Sequence, residues 1–263
     1  MTRDRDATEH VPEGPVPSSE QGRRLLDLVK VMARLRAPGG CPWDREQTHA
    51  TLARHLLEET HELLDAIDRD DREAIRDELG DLLLQVVFHA QIASDDGGWD
   101  VDDVARALVE KLIHRHPHVF GDVAVSGADE VLVNWERLKA EEAGARPAVE
   151  DDIPATLPAL ARAAKVQRRA AGWGVAWSRP EEAVEALRSA VADVPGRRDD
   201  AEARIGALLF AAVAAARALG VDAESALRRS THGFADRFER SMAAHGDVGA
   251  VPEDEARALL RDP

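Results

Sequence analysis

Apolar residues in this chain recur at helical spacing, and almost no stretch alternates as a strand would. The fold class expected is therefore all-α. A first helix is predicted near 20–35, where Leu25, Leu26, Leu28, Val29, Val31 and Met32 precede the break at Pro38, Gly39 and Gly40. A second covers about 48–69, with Leu52, Leu56, Leu63 and Ile67 on one side. A third covers about 72–94 and turns Ile75, Leu79, Leu82, Leu83, Val86 and Val87 inward. Asp95, Asp96, Gly97 and Gly98 end it, and 101–114 makes a fourth before Pro117. Four helices with short loops predict an antiparallel bundle.

Residues 141–158 then gather Gly144, Pro147, Pro154 and Pro158 among acidic side chains, the composition of a connection between domains. Beyond it the pattern returns. Gly80-Asp81-Leu82-Leu83-Leu84 is echoed by Gly206-Ala207-Leu208-Leu209-Phe210, and Glu58-Glu59 with Glu62 by Glu181-Glu182 with Glu185. A period this long exceeds any solenoid repeat, so two copies of one helical domain is the simpler reading. The expected division is a tail at 1–19, a first domain at 20–142, a linker at 143–158, a second domain at 159–245 and a frayed tail at 246–263.

Charge and composition narrow the function. Lys and Arg total 34 against 50 Asp and Glu, a formal charge of −16. That field disfavours a nucleic acid partner bound by broad charge neutralisation, yet permits a small anionic substrate carried by metal ions. Cys41 is the only cysteine, which excludes an intrachain disulfide and a cysteine-based zinc cluster. The longest apolar run, 205–216, is too short to cross a bilayer. Residues 1–20 lack the apolar centre of a signal peptide. The expectation is a cytoplasmic protein with no membrane partner.

The carboxylates carry the chemistry. Glu58, Glu59 and Glu62 fall on the second predicted helix, Glu78 and Asp81 on the third. At 100° per residue, Glu59 and Glu62 lie about 60° apart, as do Glu78 and Asp81, so each pair points one way. A short turn near Asp70-Asp71 would bring the pairs opposite each other. Clustered like charges need neutralising, and a hard cation with oxygen ligands does so best, unless the face is simply solvated. Magnesium is the natural occupant. A di-iron bundle would want two Glu-x-x-His pairs; Glu58 and His61 supply one, and nothing in step with Glu78 and Asp81 supplies the other. His114, His116 and His118 are split by Pro117 and have no ligand partner at metal spacing, so they read as packing residues.

These residues resemble a known family. Glu58-Glu59-Thr60-His61-Glu62 followed by Glu78-Leu79-Gly80-Asp81 is similar to the EExxE…ExxD signature of the MazG nucleoside triphosphate pyrophosphohydrolases. Cys41-Pro42-Trp43-Asp44-Arg45-Glu46-Gln47-Thr48 resembles the family's CPWDxxQT stretch, and His114-Arg115-His116-Pro117-His118-Val119-Phe120 its RRHPHVF stretch. Trp135-Glu136 with Lys139 continues the likeness to the full-length, two-domain bacterial type, which runs from about residue 20 to 245. The resemblance implies Mg²⁺, with Mn²⁺ as a substitute, held by Glu59, Glu62, Glu78 and Asp81. It implies hydrolysis of nucleoside triphosphates to monophosphate and pyrophosphate, with Glu58 or Glu62 accepting a proton from water. Lys111 and Arg115 match positions that contact the triphosphate. Trp43 is placed either to stack on a base or to pack over the bundle end, and Trp135 and Lys139 are equally open. A homodimer is expected, because an isolated four-helix domain leaves apolar faces uncovered. The rival reading is a non-catalytic helical module that senses nucleotides or binds a protein.

The second copy departs from the signature. Arg204 and Ala207 stand where ExxD should be, and Gly233 where Lys111 would fall. Half its ligands are gone, and a scaffold role is expected.

Overall fold

The computed structural model describes residues 22–127, 130, 131, 134, 135, 138, 148–151, 153–195, 200–245 and 253–261. The chain divides into two compact units, Met1–Val131 and Leu132–Pro263. Among the described residues every regular element is a helix, and no single helix is long and apolar enough to cross a membrane.

The first unit holds α1 (Arg23–Arg36), α2 (Pro42–Glu46), α3 (His49–Asp68), α4 (Arg72–Asp95), α5 (Val101–Arg115) and α6 (Pro117–Phe120). The ends of α3 and α4 are chemically specified. Thr48 and Thr51 form a reciprocal capping box: each hydroxyl accepts the other's backbone N–H, at 3.2 and 2.9 Å. Asp70 adopts a left-handed φ of 54°, and the N–H groups of Asp70 and Asp71 close on the carbonyls of Ile67 and Ala66, both at 3.1 Å. That is a Schellman ending with aspartate where glycine is usual. Asp71 then caps α4 by accepting from Glu73 and Ala74. One short turn therefore ends α3, starts α4 and sets the register of the hairpin.

The core of this unit is Met32 from α1, Leu52 from α3, and Val87, Phe88 and Ile92 from α4, with Leu28, Val29, Leu35, Leu84 and Val101 packed around it. The inward positions expected for α4 need correction. Val87 is buried, but Leu79, Leu83 and Val86 are exposed, as are Leu56 and Ile67 of α3. Viewed down the helix, α4 carries two apolar stripes. Leu84, Phe88 and Ile92 face α1 and α3; Leu79, Leu83 and Val86 lie on the opposite side, which one copy of the chain does not cover. No residue of α5 is buried, and Leu108, Val109 and Leu112 are open. The four helices do not close a bundle within this unit.

The second unit contains α7 (Ala159–Gly172), α8 (Pro180–Asp193), α9 (Ala201–Ala218), α10 (Ala223–His245) and α11 (Glu253–Arg261). Ala183 of α8 and Val213 and Ala215 of α9 are its buried apolar centre. Three features here stand beside the expected division of the chain. The expected linker at 143–158 is, in its described part, tied to α7: Arg169 donates to the carbonyls of Ala148, Val149 and Asp151, and Arg162 pairs with Glu150 at 3.2 Å. A stretch of proline and acid looks loose by composition, yet one guanidinium nitrogen, Arg169 Nη1, is shared among three of its carbonyls. The expected C-terminal tail contains α11, an amphipathic helix of about two and a half turns that composition alone did not mark. The division after Val131 also precedes the expected boundary at 142. The expected tail at 1–19 lies outside the described residues.

Candidate metal centre

The α3–α4 hairpin brings together carboxylates that are far apart in sequence. One oxygen each from Glu59, Glu78 and Asp81 lies within 4.8 Å of the others, and this is the only such grouping among the described residues. Burial and then the charges of Asp81, Glu62, Glu78 and Glu58 raise the Glu59 carboxyl above its ordinary value of 4.5. Glu78 is raised in the same way by desolvation, by Glu62, Asp81 and Asp77, and by a hydrogen bond with the Glu62 carboxyl. Glu62 thus stands against Glu78, as Glu59 stands against Asp81. Repulsion of this kind shows as carboxyls that resist ionising. An all-oxygen donor set without sulfur or nitrogen suits a hard divalent cation.

Glu58 is turned elsewhere. Its carboxylate meets His55 Nδ1 at 3.2 Å on the exposed side of α3. Lys111 and Arg115 lie one turn apart on α5, Lys111 exposed and Arg115 half-buried and engaged with a neighbour. Trp135 is half-buried in the second unit and has a partner there or nearby; Lys139 lies outside the described residues.

Trp43 is half-exposed on α2, ahead of the hairpin, with its ring in edge contact with His55 at 6.1 Å and Phe88 at 6.4 Å. What seats it is a residue that sequence reading missed. The Arg36 side chain, only 8% exposed, pairs with Asp95 at 2.6 Å and donates to the carbonyls of Asp44 at 2.5 Å and Gln47 at 3.2 Å. Its guanidinium also lies over the Phe88 ring at 5.6 Å. The loop before Trp43 allows no side chain at Gly40, where a Cβ would come within 2.1 Å of the Leu35 carbonyl oxygen. No sequence pattern marks Arg36, since its partners lie on two other elements, α2 with its C-terminal cap and the far end of α4.

In the second unit the acidic residues disperse. Glu182 accepts from the backbone N–H of Ser178 at 3.1 Å and from Arg179 at 3.2 Å, at the start of α8. Glu185 pairs with Arg188, and Arg204 with Asp200.

A helical unit with three clustered carboxylates, and no sulfur or histidine among them, offers the all-oxygen donor set that a hard divalent cation takes. Residues 47–120, which span the cage and α5, match the MazG nucleotide pyrophosphohydrolase domain. The chain is 46% identical over 232 residues to a nucleoside triphosphate pyrophosphohydrolase of Escherichia coli, covering 83% of this chain and 88% of that one. It is 42% identical over 238 residues to the nucleoside triphosphate pyrophosphohydrolase/pyrophosphatase MazG of Thermotoga maritima, covering 89% and 92%. A nucleoside triphosphate pyrophosphohydrolase of Mycolicibacterium smegmatis is 43% identical over 246 residues, covering 92% and 71%. The chain belongs to the MazG family and is an enzyme of that family.

Proposed function

We propose that the chain hydrolyses nucleoside triphosphates to the monophosphate and pyrophosphate, using Mg²⁺ held on the α3–α4 hairpin. The observation that carries this is the meeting of Glu59, Glu78 and Asp81 within 4.8 Å, inside the segment that matches the family domain. When bound, the cation neutralises phosphate oxygens and lowers the pKa of a coordinated water. Glu59, Glu78 and Asp81 hold it. Glu62, beside Glu78 but outside the three-oxygen group, would take up the proton released by the attacking water. Glu58 is the poorer candidate, because His55 engages it. Lys111 and Arg115 take the charge that develops on departing pyrophosphate. Trp43, half-exposed, stacks on the base. Trp135 and Lys139, by resemblance alone, are further nucleotide contacts.

The first unit is the catalytic one and the second a scaffold, because Glu182 and Glu185 serve the helix start and surface of α8. A second copy of the chain covers the outer stripe of Leu79, Leu83 and Val86, which would otherwise stay in water. Four partners for that stripe, Leu57, Leu108, Val109 and Leu112, are open on the same unit.

The test is product identification on purified protein with Mg²⁺, Mn²⁺ or chelator. Monophosphate with pyrophosphate, abolished by chelation and restored by either metal, is the expected result. Diphosphate with orthophosphate, or turnover that survives chelation, overturns the proposal. Tight nucleotide binding without any product would favour the sensing module instead.

A further inference from the structure

We propose that Gln85 is a base-binding residue whose side-chain amide hydrogen-bonds the polar edge of the substrate's nucleobase. The proposal rests on the cage reading above, since it takes the phosphates to lie at Glu59, Glu78 and Asp81. Gln85 follows Asp81 by one turn of α4, about 6 Å along the axis, and lies within about 60° of both Asp81 and Phe88 around it. It therefore stands between the carboxylates and the Trp43–Phe88 edge contact, where a nucleoside joined to phosphates at the cage would reach.

The side chain is 4% exposed, and its buried Oε1 accepts no hydrogen bond. A buried amide oxygen without a donor is costly, and native proteins seldom leave one so unless a ligand or water completes it. The other buried glutamine among the described residues shows the contrast. Gln167 donates from Nε2 to the Phe210 carbonyl at 2.8 Å and accepts at Oε1 from Arg217 at 3.4 Å. The internal repeat adds an independent observation. The offset that carries Gly80 to Gly206 carries Asp81 to Ala207 and Gln85 to Ala211. The unit that has lost the counterparts of Glu78 and Asp81 has lost this amide as well.

Each Watson–Crick edge places an N–H donor beside an acceptor: amino with ring nitrogen in adenine and cytosine, ring N–H with carbonyl in guanine and uracil. A primary amide turned about its last bond meets either arrangement with Oε1 accepting and Nε2 donating. Gln85 thus grips every base and selects among none.

The experiment compares the full-length wild type with Gln85→Met, which keeps the shape and removes the hydrogen bonds, and with Gln85→Leu as a second apolar replacement. KM for ATP and for UTP should each rise about tenfold, with kcat within about threefold. Inhibition by inorganic tripolyphosphate, which has no base, should be unchanged. Melting temperatures at or above that of the wild type confirm that both variants fold, because each removes an unpaired buried oxygen. Unchanged KM for both nucleotides overturns the proposal and assigns the oxygen to solvent. Equal weakening of ATP and tripolyphosphate also overturns it and gives the amide a role in supporting the cage. Asp81→Ala is run alongside: turnover surviving in that variant sinks the cage reading itself, whatever the glutamine variants do.

Discussion

Glu59 on α3 and Asp81 on α4 bring carboxylate oxygens within 4.8 Å of each other, with a Glu78 oxygen inside the same limit from both. Removing one charge from such a group has opposite effects on chemistry and on stability. Asp81→Ala should lower kcat/KM by about a hundredfold or more, through loss of a metal ligand. In the metal-free state the same variant should melt at a higher temperature than the wild type, because Glu59 and Glu78 lose a repelling neighbour. Calorimetry with and without Mg²⁺ checks both, and wild-type kcat/KM would show that the site is misplaced.

Protons should compete with the metal. Glu59 and Glu78 are both raised above 4.5 in the folded chain, so the fold binds protons more tightly than the unfolded chain does. Their contribution to metal-free stability is then present in full below 4.5 and lost as pH rises through the raised values. Metal binding runs the other way: it needs ionised carboxylates, so affinity should fall as pH drops through that window and protons should be released on binding. Titration calorimetry in buffers of different ionisation enthalpy reads the proton count. No buffer dependence at any pH just above 4.5 would contradict the shifts.

Arg36→Met should cost about 3 kcal/mol of stability, because Asp95 loses a largely buried partner and the carbonyls of Asp44 and Gln47 lose their donor. It should also raise KM for nucleotides by loosening the seat of Trp43. Chemical denaturation and steady-state kinetics test the two effects. A stable variant with unchanged KM would show that Trp43 is seated by its ring contacts alone.

Asp70→Gly should stabilise the first unit by about 1 kcal/mol, since glycine takes a φ of 54° without the Cβ penalty. Activity should be unchanged, because the turn hydrogen bonds use backbone atoms. A lower melting temperature would mean that the Asp70 side chain contributes more than its backbone costs.

Alanine at both Glu182 and Glu185 should leave kcat/KM within about threefold, less than about 0.8 kcal/mol of barrier. Glu182 accepts at the start of α8, so a small loss of stability is expected. A hundredfold loss of activity, with Glu59 and Glu62 variants still active, would exchange the roles of the two units.

Local properties were legible in the sequence: the α3 and α4 spans, the turn at Asp70-Asp71, and the four carboxylates on facing sides. Each follows from spacing along one helix or from capping chemistry within a few residues, and short-range chemistry does not wait for the rest of the fold. Tertiary structure alone decided which apolar stripe of α4 is covered. Leu79 and Phe88 are alike in hydrophobicity, and only the positions of α1 and α3 make one exposed and the other core. It also decided that Arg36 would seat Trp43, that Arg169 would bind the carbonyls of an apparent linker, and that Glu58 would turn to His55 rather than to its neighbours in the motif. Those outcomes depend on groups brought together from separate elements, and no period in a one-dimensional pattern encodes the direction in which a helix will find its neighbour.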